Sequence, residues 1–222
     1  MSALNSPNEA VQSLSAQDTE QRSAQRVALL IRSAKVICEH GEFLCIIRDV
    51  SQTGVKLRLF HPLPESAGFD LCLANGDRFA IQPVWEQDGL AGFRFDGAVD
   101  LERILVEHCP YPKRPVRLKL NTNAAITTSS GQSCTATILD ISREGMRVEC
   151  NHPLAIAQKL RLWAEGLPDV DAIVRWRKSP VYGLVLPLVM SFDELAITAA
   201  RMQLQPEAAR SILPDAGASR FA

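Results

Sequence analysis

Residues 48–59 read RDVSQTGVKLRL and residues 139–150 read LDISREGMRVEC. Both carry Asp, an apolar residue, Ser, two variable residues and Gly in that order, at Asp49, Ser51 and Gly54 and again at Asp140, Ser142 and Gly145. One such string is an ordinary turn composition, so its weight depends on what else repeats at the same spacing. Subtracting 49 from 140 gives an offset of 91, and that offset carries Arg26 onto Arg117, Trp85 onto Trp176 and Gly92 onto Gly183 without a gap. His61, Pro62 and Leu63 fall on His152, Pro153 and Leu154, and Arg22, Val50, Val55, Lys56 and Asp100 fall on residues of like kind. The chain therefore reads as two tandem copies of one small domain, since solenoid arrays use shorter periods and more copies.

The 222 residues suffice for two domains, each with its own core. A net charge of −1 disfavours a protein whose main task is to hold a nucleic-acid polymer, although Lys113–Lys119 contains four basic residues and no acid. The six cysteines form no C-x-x-C pair, so they read as small buried hydrophobes of a reducing compartment, and no metal site or cofactor is expected. No secretion signal and no apolar run of about 18 residues is present, which predicts a cytoplasmic protein without membrane insertion.

Residues 1–20 are polar and aperiodic and read as a disordered tail, as do residues 205–222 more loosely. From Val27 onward short apolar or alternating runs are separated by breakers such as His40-Gly41, Asn75-Gly76-Asp77 and Asp88-Gly89. That is the period of strands, with six candidates at 29–38, 42–50, 55–60, 69–73, 78–85 and 91–95. Six short strands in about 70 residues predict a closed antiparallel barrel, because closure removes exposed edges. A helix should follow each barrel, over Asp100–His108 and over Leu195–Leu204 behind a capping box at Ser191 and Glu194. The expected organisation is all-β with short terminal helices: one barrel and its helix in 21–108, a second in 109–204.

Arg22 and Arg26 precede the Asp49 loop in the order basic pair, strand, hairpin turn, and Arg117 stands as far before Asp140 as Arg26 before Asp49. The turn residues alone can be structural, through side-chain to backbone bonds of Asp and Ser and the freedom of Gly. The paired arginines add chemistry. A guanidinium matches phosphate oxygens, reads the O6/N7 edge of guanine and stacks on bases. A carboxylate accepts from the opposite, N–H-bearing edge of guanine.

Arg22-Ser-Ala-Gln-Arg26 fits R-x-x-x-R and Asp49-Val-Ser-Gln-Thr-Gly54 fits D/N-x-S-x-x-G. With the all-β frame and the Trp-to-Gly strand pair, the chain resembles the PilZ domain family, bacterial receptor modules for cyclic di-GMP, over about residues 22–200. The resemblance implies two tandem six-stranded antiparallel PilZ-type β-barrels. In the first, Arg22 and Arg26 would take phosphates and guanine edges, Asp49 and Ser51 would hold a guanine, and Gly54 would shape the loop. It also implies an arginine segment ordered by ligand, a common switching device.

The second copy departs from the pattern. Asp140, Ser142 and Gly145 are in place, but the upstream motif is Lys113-Arg-Pro-Val-Arg117, and lysine lacks the bidentate fork. Arg114 is one position out of register. Ligand binding is therefore expected mainly in the first barrel, with the second as scaffold or partner surface, and the signal relayed to a downstream protein. The alternative is a ligand-independent tandem adaptor in motility or envelope-polysaccharide machinery. No nucleophile elbow, phosphate-binding glycine loop or repeated carboxylate pair points to an enzyme. Trp85 and Trp176 read as core or rim packing.

Overall fold

A computed structural model describes residues 27–105 and 115–204 of the chain. The first stretch folds as β1 (Val27–Cys38), β2 (Gly41–Val50), β3 (Gly54–Leu59), β4 (Phe69–Cys72), β5 (Arg78–Gln87), β6 (Leu90–Phe95) and helix α1 (Leu101–Leu105). The second repeats the series as β7 (Leu118–Thr128), β8 (Ser133–Ser142), β9 (Gly145–Glu149), β10 (Lys159–Ala164), β11 (Leu167–Lys178), β12 (Val181–Val185) and helix α2 (Phe192–Leu204). Adding 91 to the first residue of β1, β3, β6 or α1 lands on the first residue of its counterpart.

Each set closes into a six-stranded antiparallel barrel of the same strand order, β1-β2-β3-β6-β5-β4 and β7-β8-β9-β12-β11-β10. Closure comes from β1 pairing β4, with Val36 opposite Leu71, and from β7 pairing β10, with Ile126 opposite Leu162. Alternate side chains of each strand fill the barrel: Val36, Cys45, Ile47, Leu57 and Leu71 are buried in the first, and Ile126, Ile138, Val148, Leu162 and Val174 in the second. The β5–β6 hairpin turns on Asp88 and Gly89, both at positive φ (52° and 72°), the backbone of a primed two-residue turn.

The helices dock where the sequence places caps. Asp100 Oδ1 accepts from Glu102 N at 2.9 Å to start α1, and Ile104 seats it on the first core. At its far end the Arg32 guanidinium donates to the carbonyls of Ile104 and Leu105. The capping box of α2 is closed in both directions, Glu194 N to Ser191 Oγ at 3.1 Å and Ser191 N to Glu194 Oε2 at 2.7 Å. Leu195, Ala196, Ala199 and Met202 lay α2 on the second core.

The two barrels share a joint. Leu44 belongs to β2 yet is buried in the second barrel's core, which is why Phe43–Ile47 is apolar without alternation. Around it the buried Glu42 accepts through Oε2 from Lys35 Nζ and from Lys119 N, each at 2.8 Å. Gln203 of α2 clasps the Glu42 backbone on both sides, accepting from its N at 2.8 Å and donating to its O at 3.0 Å. A buried carboxylate is tolerated when its lone pairs are met in this way.

Candidate functional site

The motif aspartates face outward because of a β-bulge. Ile47 pairs with Leu57 and Val50 with Val55, all four buried, but between them β2 spends two residues where β3 spends one. Strict alternation from Ile47 would send Asp49 into the core. The extra residue, Arg48, inverts the parity, so Asp49 stands opposite Lys56 on the outer surface while Val50 returns inward. The same shift between Ile138 and Asp140 sets Asp140 opposite Arg147.

A second bulge, between Pro83 and Trp85 and again between Val174 and Trp176, does the same for the tryptophans. Trp85 lies opposite Gly92, which lies opposite Lys56, and Trp176 stands likewise to Gly183 and Arg147. Each barrel thus carries one transverse row of carboxylate, cation, glycine and indole. A methyl group on Gly92 or Gly183 would come within 2.1 Å of the indole Nε1, so the glycines exist to let the ring lie flat. The indoles remain 44% and 42% exposed, which places them on the outer face rather than in the core. Lys56 Nζ sits 5.8 Å from the Trp85 ring centroid, a cation–π geometry.

The two rows differ at the aspartate. Asp140, its side chain 3% exposed, accepts from Arg117 Nη1 at 2.7 Å through Oδ1 and from Arg147 Nε through Oδ2. Both oxygens are satisfied by the barrel's own guanidinium groups. Asp49 Oδ1 is buried and has no hydrogen-bond partner among the described residues. Burying an unpaired acceptor costs on the order of 1–3 kcal/mol, more for a charged group, so such an oxygen marks a place that another donor completes.

The serines and glycines of the motif build the turn. Ser51 Oγ accepts from Gly54 N at 3.1 Å and lies 3.2 Å from Gly54 O, and Ser142 Oγ donates to Gly145 O at 2.9 Å. Gly54 and Gly145 have no positive φ; they are small because the neighbouring strand passes close. A methyl group would meet Phe93 O at 2.8 Å in the first barrel and Leu184 O at 2.1 Å in the second.

Beside Asp49 an open cleft of about 710 Å³ runs along the outside of β2 and β3. Arg48, Lys56 and Arg58 line it with Asp49, Asp88 and Phe60, and Asp193 in the first turn of α2 closes its far wall. Arg58 spans the cleft, 3.4 Å from Asp193 and over the Phe60 ring at 5.1 Å. An exposed ion pair of that length is worth little and yields readily to a better anion.

Of the residues singled out from sequence, the structure brings Asp49, Ser51 and Gly54 together at the first bulge, and Arg117, Asp140, Ser142 and Gly145 at the second. Arg22, Arg26, Lys113 and Arg114 lie outside the described residues. Arg48, Arg58 and Arg147 were missed; a cation at the bulge or opposite the aspartate becomes legible only once the strand register is known. Among the described residues no three His, Cys, Asp or Glu side chains converge on a metal position, and no helix is long and apolar enough to cross a membrane.

A tandem of closed six-stranded barrels, each with a bulge-presented aspartate and a terminal helix, defines the class. Residues 113–200, which span the second barrel, match the PilZ domain family, and the first barrel repeats that barrel's strand order. No curated protein matches the sequence. Among solved structures the chain is similar to Borreliella burgdorferi PlzA in complex with c-di-GMP, at 10% identity and a TM-score of 0.31 over 85% of this chain and 98% of that one. Escherichia coli YcgR in complex with c-di-GMP is similar at 11% identity and 0.33, over 81% and 86%. The Bacillus subtilis inhibitor of motility MotI (DgrA) is similar at 14% and 0.33, over 79% and 97%.

Proposed function

We propose that this protein is a receptor for cyclic di-GMP that takes its ligand mainly at the Asp49 cleft of the first barrel. The observation that carries the reading is the buried Asp49 Oδ1 without a partner among the described residues, beside a cleft lined by Arg48, Lys56 and Arg58. The N–H edge of a guanine supplies donors for that oxygen. The ligand's phosphates find cations along the cleft. Its three cations face three carboxylates, so Arg22 and Arg26 would supply the excess positive charge that a doubly anionic ligand requires.

The second barrel serves as scaffold in this reading. Asp140 is already bound by Arg117 and Arg147, and a ligand there would first have to break both contacts. A ligand that engages the arginine segment and the Asp49 face together biases their relative position, and the joint at Glu42 and Gln203 offers a route to the second barrel and thence to a protein partner. The activity proposed is binding alone.

Isothermal titration of cyclic di-GMP into the full-length protein tests this. Binding should be lost in Asp49→Ala and in Arg22→Ala/Arg26→Ala and kept in Lys113→Ala/Arg117→Ala. Absence of binding by the folded wild type would overturn the receptor reading. Loss confined to the Lys113/Arg117 variant would move the site to the second barrel.

A further inference from the structure

Cys134 and Cys150 lie apart from everything the binding site uses. Cys134 is near the start of β8 and half-buried; Cys150 follows the last residue of β9 and is buried. Their sulfurs are 3.6 Å apart, the only sulfur–sulfur contact among the described residues. The repeat makes the pair informative. At an offset of 91 the corresponding positions are Phe43 and Leu59, both ordinary buried apolar residues. The second copy thus carries cysteine at both members of one contact, whereas small-hydrophobe packing would be served equally by one cysteine or none. Cys45 and Cys72 have Ala136 and Trp163 as counterparts, and neither pairs with another sulfur.

We propose that Cys134 and Cys150 form a dithiol–disulfide modification site that a small-molecule disulfide oxidises. The half-buried Cys134 is the sulfur that an incoming disulfide reaches. Its thiolate attacks one sulfur of the oxidant, expels the other as a thiolate and leaves a mixed disulfide on Cys134. The Cys150 thiolate then attacks the Cys134 sulfur and expels the second small thiolate. Two protein thiols and one small disulfide become one intramolecular disulfide and two small thiols, so atoms and electrons balance. Closing the bond requires each sulfur to move by less than an ångström, within reach of side-chain rotation about a bond length of about 2.05 Å.

The site also sets its own pace. Burial, joined by the neighbouring Cys150, pushes the Cys134 thiol up to about 12, so thiolate is scarce at neutral pH. Oxidation is therefore slow there and quickens as pH rises, since exchange follows the thiolate fraction. The disulfide would tie the start of β8 to the end of β9, the strand whose Arg147 holds Asp140. It would also form the edge of an open polar cleft of about 460 Å³ between Asn123, Thr135, Thr137 and Glu149.

The test is equilibration of the native full-length protein in mixtures of oxidised and reduced glutathione, followed by acid quench, alkylation and peptide mass spectrometry. The expected product loses about 2 Da across the Cys134 and Cys150 peptides, loses two alkylatable thiols, reverts with dithiothreitol and forms faster at higher pH. In Cys150→Ser the mixed disulfide should instead accumulate on Cys134. Cys134 and Cys150 remaining alkylatable at the most oxidising ratio, or the same mass loss in Cys134→Ser/Cys150→Ser, would overturn the proposal.

Discussion

Removing the two arginines that hold Asp140 should destabilise the protein far more than their surface position suggests, and neutralising Asp140 should undo much of the damage. Arg117 and Arg147 are 47% and 44% exposed while the carboxylate between them is 3% exposed. The arginines lose little by returning to water; the carboxylate cannot follow them. In Arg117→Ala the Arg147 contact remains, and the loss should be about 1–2 kcal/mol, at the low end for a bond to a charged group because the donor is half in solvent. In Arg117→Ala/Arg147→Ala a buried charge is stranded, and the loss should approach about 3 kcal/mol, lowering Tm by about 6–12 °C for a protein of this size. Adding Asp140→Asn removes the charge and should restore about half of that. Urea denaturation of the four proteins measures it. A triple variant no more stable than the double would refute the reasoning, because the cost would then lie in lost arginine packing and not in the stranded carboxylate.

Three further outcomes are expected. Gly183→Ala should cost more than an exposed substitution normally does, about 1–3 kcal/mol, because its methyl would displace the Trp176 ring at 2.1 Å; tryptophan fluorescence should report a ring moved toward water. Leu44→Ala should cost about 2–4 kcal/mol and separate the unfolding of the barrels into two calorimetric transitions, since Leu44 is the first-barrel side chain buried within the second core, where Phe60 only packs against its edge. Glu194 is held below its ordinary 4.5 by the backbone N–H of Ser191 and then by the Ser191 hydroxyl-side contact, so the cap's contribution is full above 4.5 and fades as pH falls through the lowered value. Glu194→Gln should therefore flatten the acid limb of a Tm–pH profile, and an unchanged limb would exclude the capping box as its source.

The repeat made the fold legible. An offset of 91 with matched Trp, Gly and His-Pro-Leu fixed two copies, and alternation with turn residues between fixed six strands in each. Even the first bulge left a trace, since Ile47 and Val50 are apolar at an odd spacing with Arg48 and Asp49 between them. In the second copy Leu139 hides the same trace, and the equivalent bulge emerges only from register. What could not be read was anything decided by a neighbour in space. Trp85 is apolar and sits on a strand, so sequence assigns it to core or rim; the Pro83–Trp85 bulge and the bare surface of Gly92 put its ring outside. Glu42 and Leu44 look like ordinary strand residues until the other barrel arrives against them.

The same comparison between copies gives one reason why one aspartate is open and the other closed. Lys56 and Arg147 occupy the same place, directly opposite their aspartates on the neighbouring strand. Arginine's fork reaches sideways to Asp140 while still crossing the strand, whereas the lysine ammonium, a point charge on a flexible stem, leans to the Trp85 face. If that difference keeps Asp49 free for a guanine, Lys56→Arg should close it. The new guanidinium would satisfy Asp49 before ligand arrives, and exchanging one charge-assisted bond for another removes about 1 kcal/mol of binding, or about fivefold in Kd. A change of charge cannot be the cause of that result, because lysine and arginine carry the same charge and attract phosphate alike at a distance. Calorimetric titration of cyclic di-GMP into Lys56→Arg decides the matter: weaker binding with an unchanged fold supports the competition, and equal or tighter binding means that the residue opposite Asp49 contacts the ligand and does not compete with it.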